Sequence, residues 1–187
     1  MSSSNASRLV RAALALALAG LTAGCFQPLY GSSSSPTGTS APGIVDKLSS
    51  VEVLPIDAPN GTRTARIAVE VRNGLISNLT GGGPAAATAY QLTIKLNASN
   101  RQVIVDINSA RPEIQNYGLN ASYTLKEVGT GKVMFSSQTF ARVSYNIPGQ
   151  LQRFAGDRGL RDAENRASKV IADNIRDRLA SYFAAGT

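Results

Sequence analysis

The 187-residue chain has no histidine, no tryptophan and a single cysteine, Cys25. One cysteine cannot close a disulfide within a chain. Without histidine there is no Cys/His zinc site and no imidazole to act as general base. These absences restrict an enzyme severely and leave a binding or scaffold protein untouched. Charged residues make up only 17% of the chain and lean to one sign, 19 Lys and Arg against 12 Asp and Glu. Long hydrophobic runs are also missing: the N-terminal apolar stretch falls short of the ~20 residues that span a bilayer.

That stretch is laid out as an export signal. Arg8 and Arg11 supply a positive start with no acidic residue, Leu9, Val10 and Ala12 to Ala19 an apolar middle, and small residues precede Cys25. Residues 1–24 read as a lipoprotein signal peptide, with Thr22 where the usual bacterial signal carries Leu. Cleavage before Cys25 would expose its thiol for lipidation. Two or more acyl chains hold a protein stably on a membrane, whereas one does so only marginally. The 19 basic residues less Arg8 and Arg11 leave 17, against 12 acidic ones, a formal excess of +5 on the mature chain. That balance suits an anionic partner. An exported lipoprotein does not meet nucleic acid, so an anionic lipid or polysaccharide is the expected ligand.

Residues 25–43 comprise the lipidated N-terminus and a flexible tether, Ser-Ser-Ser-Ser-Pro-Thr-Gly-Thr-Ser-Ala-Pro-Gly over 32–43, whose composition buries no core. Residues 44–187 form one domain. A short strand, Val51 to Ile56, precedes a helix from Arg63 to Leu79 with Ile67, Val71, Leu75 and Leu79 on one face. Gly81-Gly82-Gly83-Pro84 ends it; lacking a following Lys-Ser/Thr, that run is not a phosphate loop. Tyr90 to Asn97 and Leu119 to Lys126 alternate apolar and polar, which predicts strands covered on one side. Gln102 to Ile107 is either a continuation past a bulge near Asn100 or a separate strand. Glu127 to Lys132 reads as a hairpin turn with two glycines available for positive φ, and Val133 to Tyr145 as the return strand, exposed or edge-like beyond Phe135. Asp157 to Phe183 is a helix with an apolar stripe of Leu160, Ala163, Ala167, Val170, Ile171, Ile175, Leu179 and Phe183. Its acids Asp157, Asp162 and Glu164 sit where they complement the helix dipole. The expected fold is α+β: a two-layer sandwich, two helices on one face of a mainly antiparallel, mixed sheet of about four strands.

Cys25-Phe26-Gln27-Pro28-Leu29-Tyr30-Gly31 resembles the mature start of the LPS-assembly lipoprotein LptE family, often Cys-Gly-Phe-x-Pro-Leu-Tyr-Gly, without the glycine after the cysteine. Ala141 to Asn146, with Ala163 to Ala167 and Ile175 to Phe183, resembles its alphaproteobacterial branch. The resemblance implies an outer-membrane lipoprotein on the periplasmic side. It implies no catalysis and no cofactor besides the covalent lipid on Cys25. The implied partners are the LptD β-barrel, which such proteins plug and help assemble, lipopolysaccharide (LPS), and outer-membrane lipids through the anchor.

Phe26, Pro28, Leu29 and Tyr30 are interface candidates, since an apolar segment carrying Tyr beside an anchor suits the membrane boundary or a barrel wall. Phosphates and carboxylates on the lipid call for Lys and Arg; Arg101, Arg111, Lys126 and Lys132 are the candidates in loops, turns and strand ends. Arg158, Arg161, Arg166 and Lys169 interleave with acids as solvent-facing pairs. Two other readings compete. One is an auxiliary lipoprotein of another envelope lipid transport system. The other is an envelope hydrolase using a carboxylate pair such as Asp157 and Asp162, or a Ser with Lys.

Overall fold

The computed structural model describes residues 43–85, 87–106, 111–146 and 153–186. The expected signal peptide, Cys25, the Phe26–Tyr30 segment and all but the last residue of the tether lie outside these. The elements are α1 (Ile44–Ser49), β1 (Val51–Val53), α2 (Arg63–Thr80), β2 (Tyr90–Asp106), β3 (Arg111–Glu127), β4 (Val133–Asn146) and α3 (Arg153–Ala185). The four strands form one open sheet in chain order; β1 runs parallel to β2, and the other neighbours are antiparallel. The helices pack on one face, so the expected two-layer α+β sandwich is the observed one, with the short α1 added to the two long helices.

Helix α2 starts at Thr62, whose hydroxyl accepts a hydrogen bond from Ala65 N at 3.2 Å. It ends at Gly81, left-handed at φ 72°, where Gly81 N and Gly82 N cap Ser77 O and Ile76 O. Its predicted face is the buried one: Ile67, Val71, Leu75 and Leu79, with Ala68 beside them. In α3 the stripe is buried except for Val170, which is 42% exposed. The buried arc turns the other way and takes in Glu164, Ser168, Ala172 and Ala180. The cause is that α3 packs against α2 as well as against β3 and β4. Gly74 of α2 faces Ala172 so closely that a Cβ there would stand 3.3 Å from the alanine methyl. The glycine that weakens the helix locally is thus what lets the two helices approach.

Several boundaries differ from expectation. Strand β1 closes at Val53, although Leu54 N still donates to Leu92 O at 3.1 Å. Gln102 onward continues β2, and the register slips between Gln102 and Val105 rather than near Asn100. Strand β3 begins at Arg111, eight residues before its alternation becomes visible in the sequence. The return strand β4 is the edge expected beyond Phe135, and its far end alternates: Ala141, Val143 and Tyr145 are buried while Arg142, Ser144 and Asn146 are exposed. Of the two turn glycines, only Gly131 adopts positive φ. Helix α3 opens at Arg153, so Asp157, Asp162 and Glu164 lie past its first turn, beyond the reach of the dipole.

One core joins all the elements. Leu75, Leu92, Leu125, Ile171, Ile175 and Leu179 are fully buried in it, and each such side chain stabilises the fold by roughly 1.5–3 kcal/mol. An aromatic group closes one end: Tyr90 meets Phe183 at 5.2 Å between ring centroids, and Phe135 meets Tyr182 at 4.6 Å.

Candidate functional site

Among the described residues, the helices cover one face of the sheet and leave the other open. Strand register assigns side chains to it. Gln91, Thr93, Lys95, Asn97, Ser99 and Arg101 of β2 align with Lys126, Thr124, Ser122, Asn120, Gly118 and Asn116 of β3. Ser136, Gln138, Phe140, Arg142 and Ser144 of β4 continue those rows. The face is polar, and its cations are Lys95, Arg101, Lys126 and Arg142. Among these residues there is no acid; on β1, Glu52 stands beside Gln91, whose amide donates to it at 3.1 Å. A surface of amides, hydroxyls and unneutralised cations attracts polyanionic, hydroxyl-rich ligands.

A groove of about 430 Å³ crosses this face, lined by Ser99, Arg101, Asn116, Gly118, Asn120 and Arg142 among others. Its floor is low because Gly118 has no side chain; a Cβ there would meet Ser99 Oγ at 2.8 Å. Gly118 lies between Ser99 and Arg142 in register, and Arg101 sits one row further along on β2. Since neighbouring strands are about 4.8 Å apart, the two arginine-bearing strands stand about 10 Å from each other across the notch. Two guanidiniums flanking a gap edged by two asparagines and a serine can grip a phosphate or carboxylate from both sides while amides and the hydroxyl bond its neighbouring oxygens. Arg142 also stacks on Phe140, 5.5 Å from the ring centroid, and that ring is 62% exposed.

A second cleft, of about 280 Å³, lies between α2 and α3 and is lined by Arg63, Arg66, Asp157, Arg161 and Glu164. Here cations already have acids. Arg63 lies 3.8 Å from Asp157, and Arg66 forms a salt bridge with Glu164 while donating to Asn165 Oδ1 at 2.8 Å. Glu164 is buried, and the pair couples the two helices. Tyr117 is buried beside it, and its hydroxyl is the buried side-chain polar atom without a partner among the described residues. Burial pushes the Tyr117 phenol up to about 12; the Glu164 carboxylate adds to the rise and Arg66 opposes it.

The sequence candidates are not gathered at one point. Arg101 lines the groove. Lys126 is exposed on the same face but at its opposite end, aligned with Gln91. Lys132 is exposed at the β3–β4 hairpin, its carbonyl accepting from Glu127 N at 2.9 Å. Arg111 opens β3 in register with Asp106. Cys25, Phe26, Pro28, Leu29 and Tyr30 lie outside the described residues. Arg142, Gly118 and Lys95 carry no site signal in the sequence; only pairing of β2, β3 and β4 identifies them. Asp157 and Asp162 are each bound by their own arginine, Arg63 and Arg166, and the latter pair is 2.7 Å apart. Five residues apart on a helix, these two carboxylates face different directions. The solvent-facing pairing expected on α3 thus holds for Arg166. Among the described residues no helix is long and apolar enough to cross a membrane, and no group of metal-ligating side chains is present.

The fold has solved counterparts. A chain from Caulobacter crescentus CB15 described as a lipoprotein superposes with a TM-score of 0.61 at 20% identity, over 77% of this chain and 97% of that one. Rare lipoprotein B from Shewanella oneidensis gives 0.52 at 13% identity, over 72% and 98%. Lipoprotein B from Nitrosomonas europaea gives 0.52 at 15% identity, over 73% and 89%. At such identities the likeness concerns the fold alone. No curated protein matches the sequence. The lipopolysaccharide-assembly family model LptE matches residues 48–179, from the end of α1 to the last turns of α3. That span is well over half the chain, and the protein belongs to the LptE family of lipopolysaccharide assembly.

Proposed function

We propose that this chain is a lipid-anchored subunit of the lipopolysaccharide export translocon in the outer membrane. In this reading it is held on the periplasmic side by acylated Cys25, plugs the LptD β-barrel and supports its assembly, and binds LPS. The family match over residues 48–179 carries the proposal. The open sheet face supports its LPS-binding part. A phosphorylated, hydroxyl-rich glycolipid needs cations without competing acids and a surface of amides and hydroxyls. The groove between Arg101 and Arg142 supplies both. Phe26, Pro28, Leu29 and Tyr30, next to the anchor, would contact the barrel or the membrane boundary. The chain performs no reaction; its work is to hold a lipid and shape a partner.

Two measurements test this reading. Affinity isolation from native outer membranes should recover a large β-barrel protein in stoichiometric amount, and its absence would count heavily against the barrel role. Arg101→Ala with Arg142→Ala should weaken LPS binding by about tenfold or more, given roughly 1.5–3 kcal/mol for each hydrogen bond to a charged group. Unchanged LPS binding in a folded double variant would move the lipid site off the open face.

A further inference from the structure

The groove between Arg101 and Arg142 occupies one end of the open face, and the paired strands carry that face well past it. Two further cations stand on the same side of the sheet. Lys95 is six residues before Arg101 on β2, and Lys126 of β3 is in register with Gln91, ten residues before Arg101. At about 3.4 Å per residue they lie ~20 Å and ~34 Å from Arg101 along the strands. Both are exposed, and among the described residues neither has an acidic partner within salt-bridge distance. A single phosphate held in the groove leaves both lysines bare.

The rows between these cations have a consistent chemistry. Asn97, Asn120 and Phe140 share one row, and Thr93, Thr124 and Ser136 share another. Hydrogen bonds across the strands hold some of these groups in place: the Thr124 and Ser136 hydroxyls are 2.9 Å apart, and Ser144 Oγ donates to Asn116 Oδ1 at 2.6 Å. In the rows of β2, β3 and β4 between Thr93 and Arg101, Phe140 is the only apolar side chain. Such a surface offers no bed for acyl chains. It suits sugars, because amides and hydroxyls can exchange hydrogen bonds with sugar hydroxyls. The exposed Phe140 ring gives the apolar C–H face of a sugar a surface to lie on.

Resting on the reading of the chain as an LPS-binding subunit, we propose that the open face holds the saccharide of that lipid at full stretch. One phosphate sits in the groove between Arg101 and Arg142. The sugars that follow run along β2 and β3 past Phe140 and the Asn97–Asn120 row, and further phosphates or carboxylates on them meet Lys95 and Lys126. The ligand class is an extended oligosaccharide charged at more than one sugar. Each exposed ion pair contributes little by itself and is screened by salt. Pairs made by one continuous ligand reinforce each other, because the first contact holds the remaining charges at high effective concentration. The arginines thus grip one phosphate, and the two lysines read the length and charge of the chain attached to it.

The test measures binding of the full chain, in detergent, to two forms of LPS: one cut back to its innermost sugars and one with a complete, multiply phosphorylated saccharide. The wild type should bind the long form about tenfold more tightly, with a steeper loss of affinity as salt rises. Lys95→Gln with Lys126→Gln should bring the long form down to the affinity of the short one. The same variant should leave binding of the short form and the circular dichroism spectrum unchanged. A photo-crosslinking side chain placed at Thr93, between the two lysine rows, should capture the long form and not the short one. Equal affinity of the wild type for both forms overturns the proposal while LPS binding itself stands. So does a lysine variant that loses the short form equally, or capture of the short form at Thr93. A wild type that binds neither form overturns the LPS reading and this extension of it together.

Discussion

Tyr117 shows how one atom can carry a measurable pH dependence. Among the described residues its hydroxyl is buried without a partner, beside the Arg66–Glu164 pair. The folded phenol is held up at about 12, while the unfolded one titrates near 10. A folded pKa raised above the unfolded value gives stability that is whole below pH 10 and lost as pH rises through the folded value. Unfolding in urea should therefore show stability falling between about pH 10 and pH 12 by roughly 2 kcal/mol more than in Tyr117→Phe. Below pH 10 the phenylalanine variant should equal or slightly exceed the wild type, because removing an unpaired buried hydroxyl removes a desolvation cost. Equal alkaline loss in both proteins would assign the effect to other groups. The presence of Tyr117 on an apolar strand face can be read from alternation once the strand is known. Its lack of a partner cannot, because Glu164 and Arg66 reach it from two different helices.

At the scale of elements, the contact between α2 and α3 depends on what is missing from it. Gly74 against Ala172 allows close approach, and Arg66 with Glu164, 98 residues apart, joins the helices near one end. Gly74→Leu should push the helices apart and destabilise the fold by about 2–3 kcal/mol, the range for overpacking a filled interface. The midpoint of chemical denaturation measures it; a loss under about 0.5 kcal/mol, as at ordinary surface sites, would show that the helix crossing is loose at this point. Both long helices were legible from their stripes of period 3.6. Val170 adjoins the stripe by sequence but lies about 100° off it, and only packing on α2 decides which flank is buried. The early half of β3 is illegible in the sequence for a related reason. Asn116, Tyr117 and Gly118 carry too little alternation to announce a strand, and it is pairing with Ser99–Arg101 and Arg142–Ser144 that makes them one.

For the whole molecule, the domain matched by the family model and the proposed anchor are separate parts of the chain. Cys25→Ala should lose fatty-acid labelling in growing cells and shift the protein from the membrane pellet to the soluble fraction, with the fold of residues 44–187 unchanged. A wild type that takes up no label would remove the anchor from the proposal without touching the family assignment, which rests on residues 48–179. The sequence by itself determined that acid–base chemistry using histidine is closed, that the strands have one apolar face, and that two long helices cover it. These are composition and short-range period, properties a chain carries wherever it is placed. Tertiary structure alone decided that Arg101 and Arg142 flank a notch at Gly118, that Glu164 is buried against Arg66, and that β4 lies at the end of the four-stranded sheet. Each of those depends on strand register or helix crossing, which bring together residues tens of positions apart, and no local pattern encodes that distance.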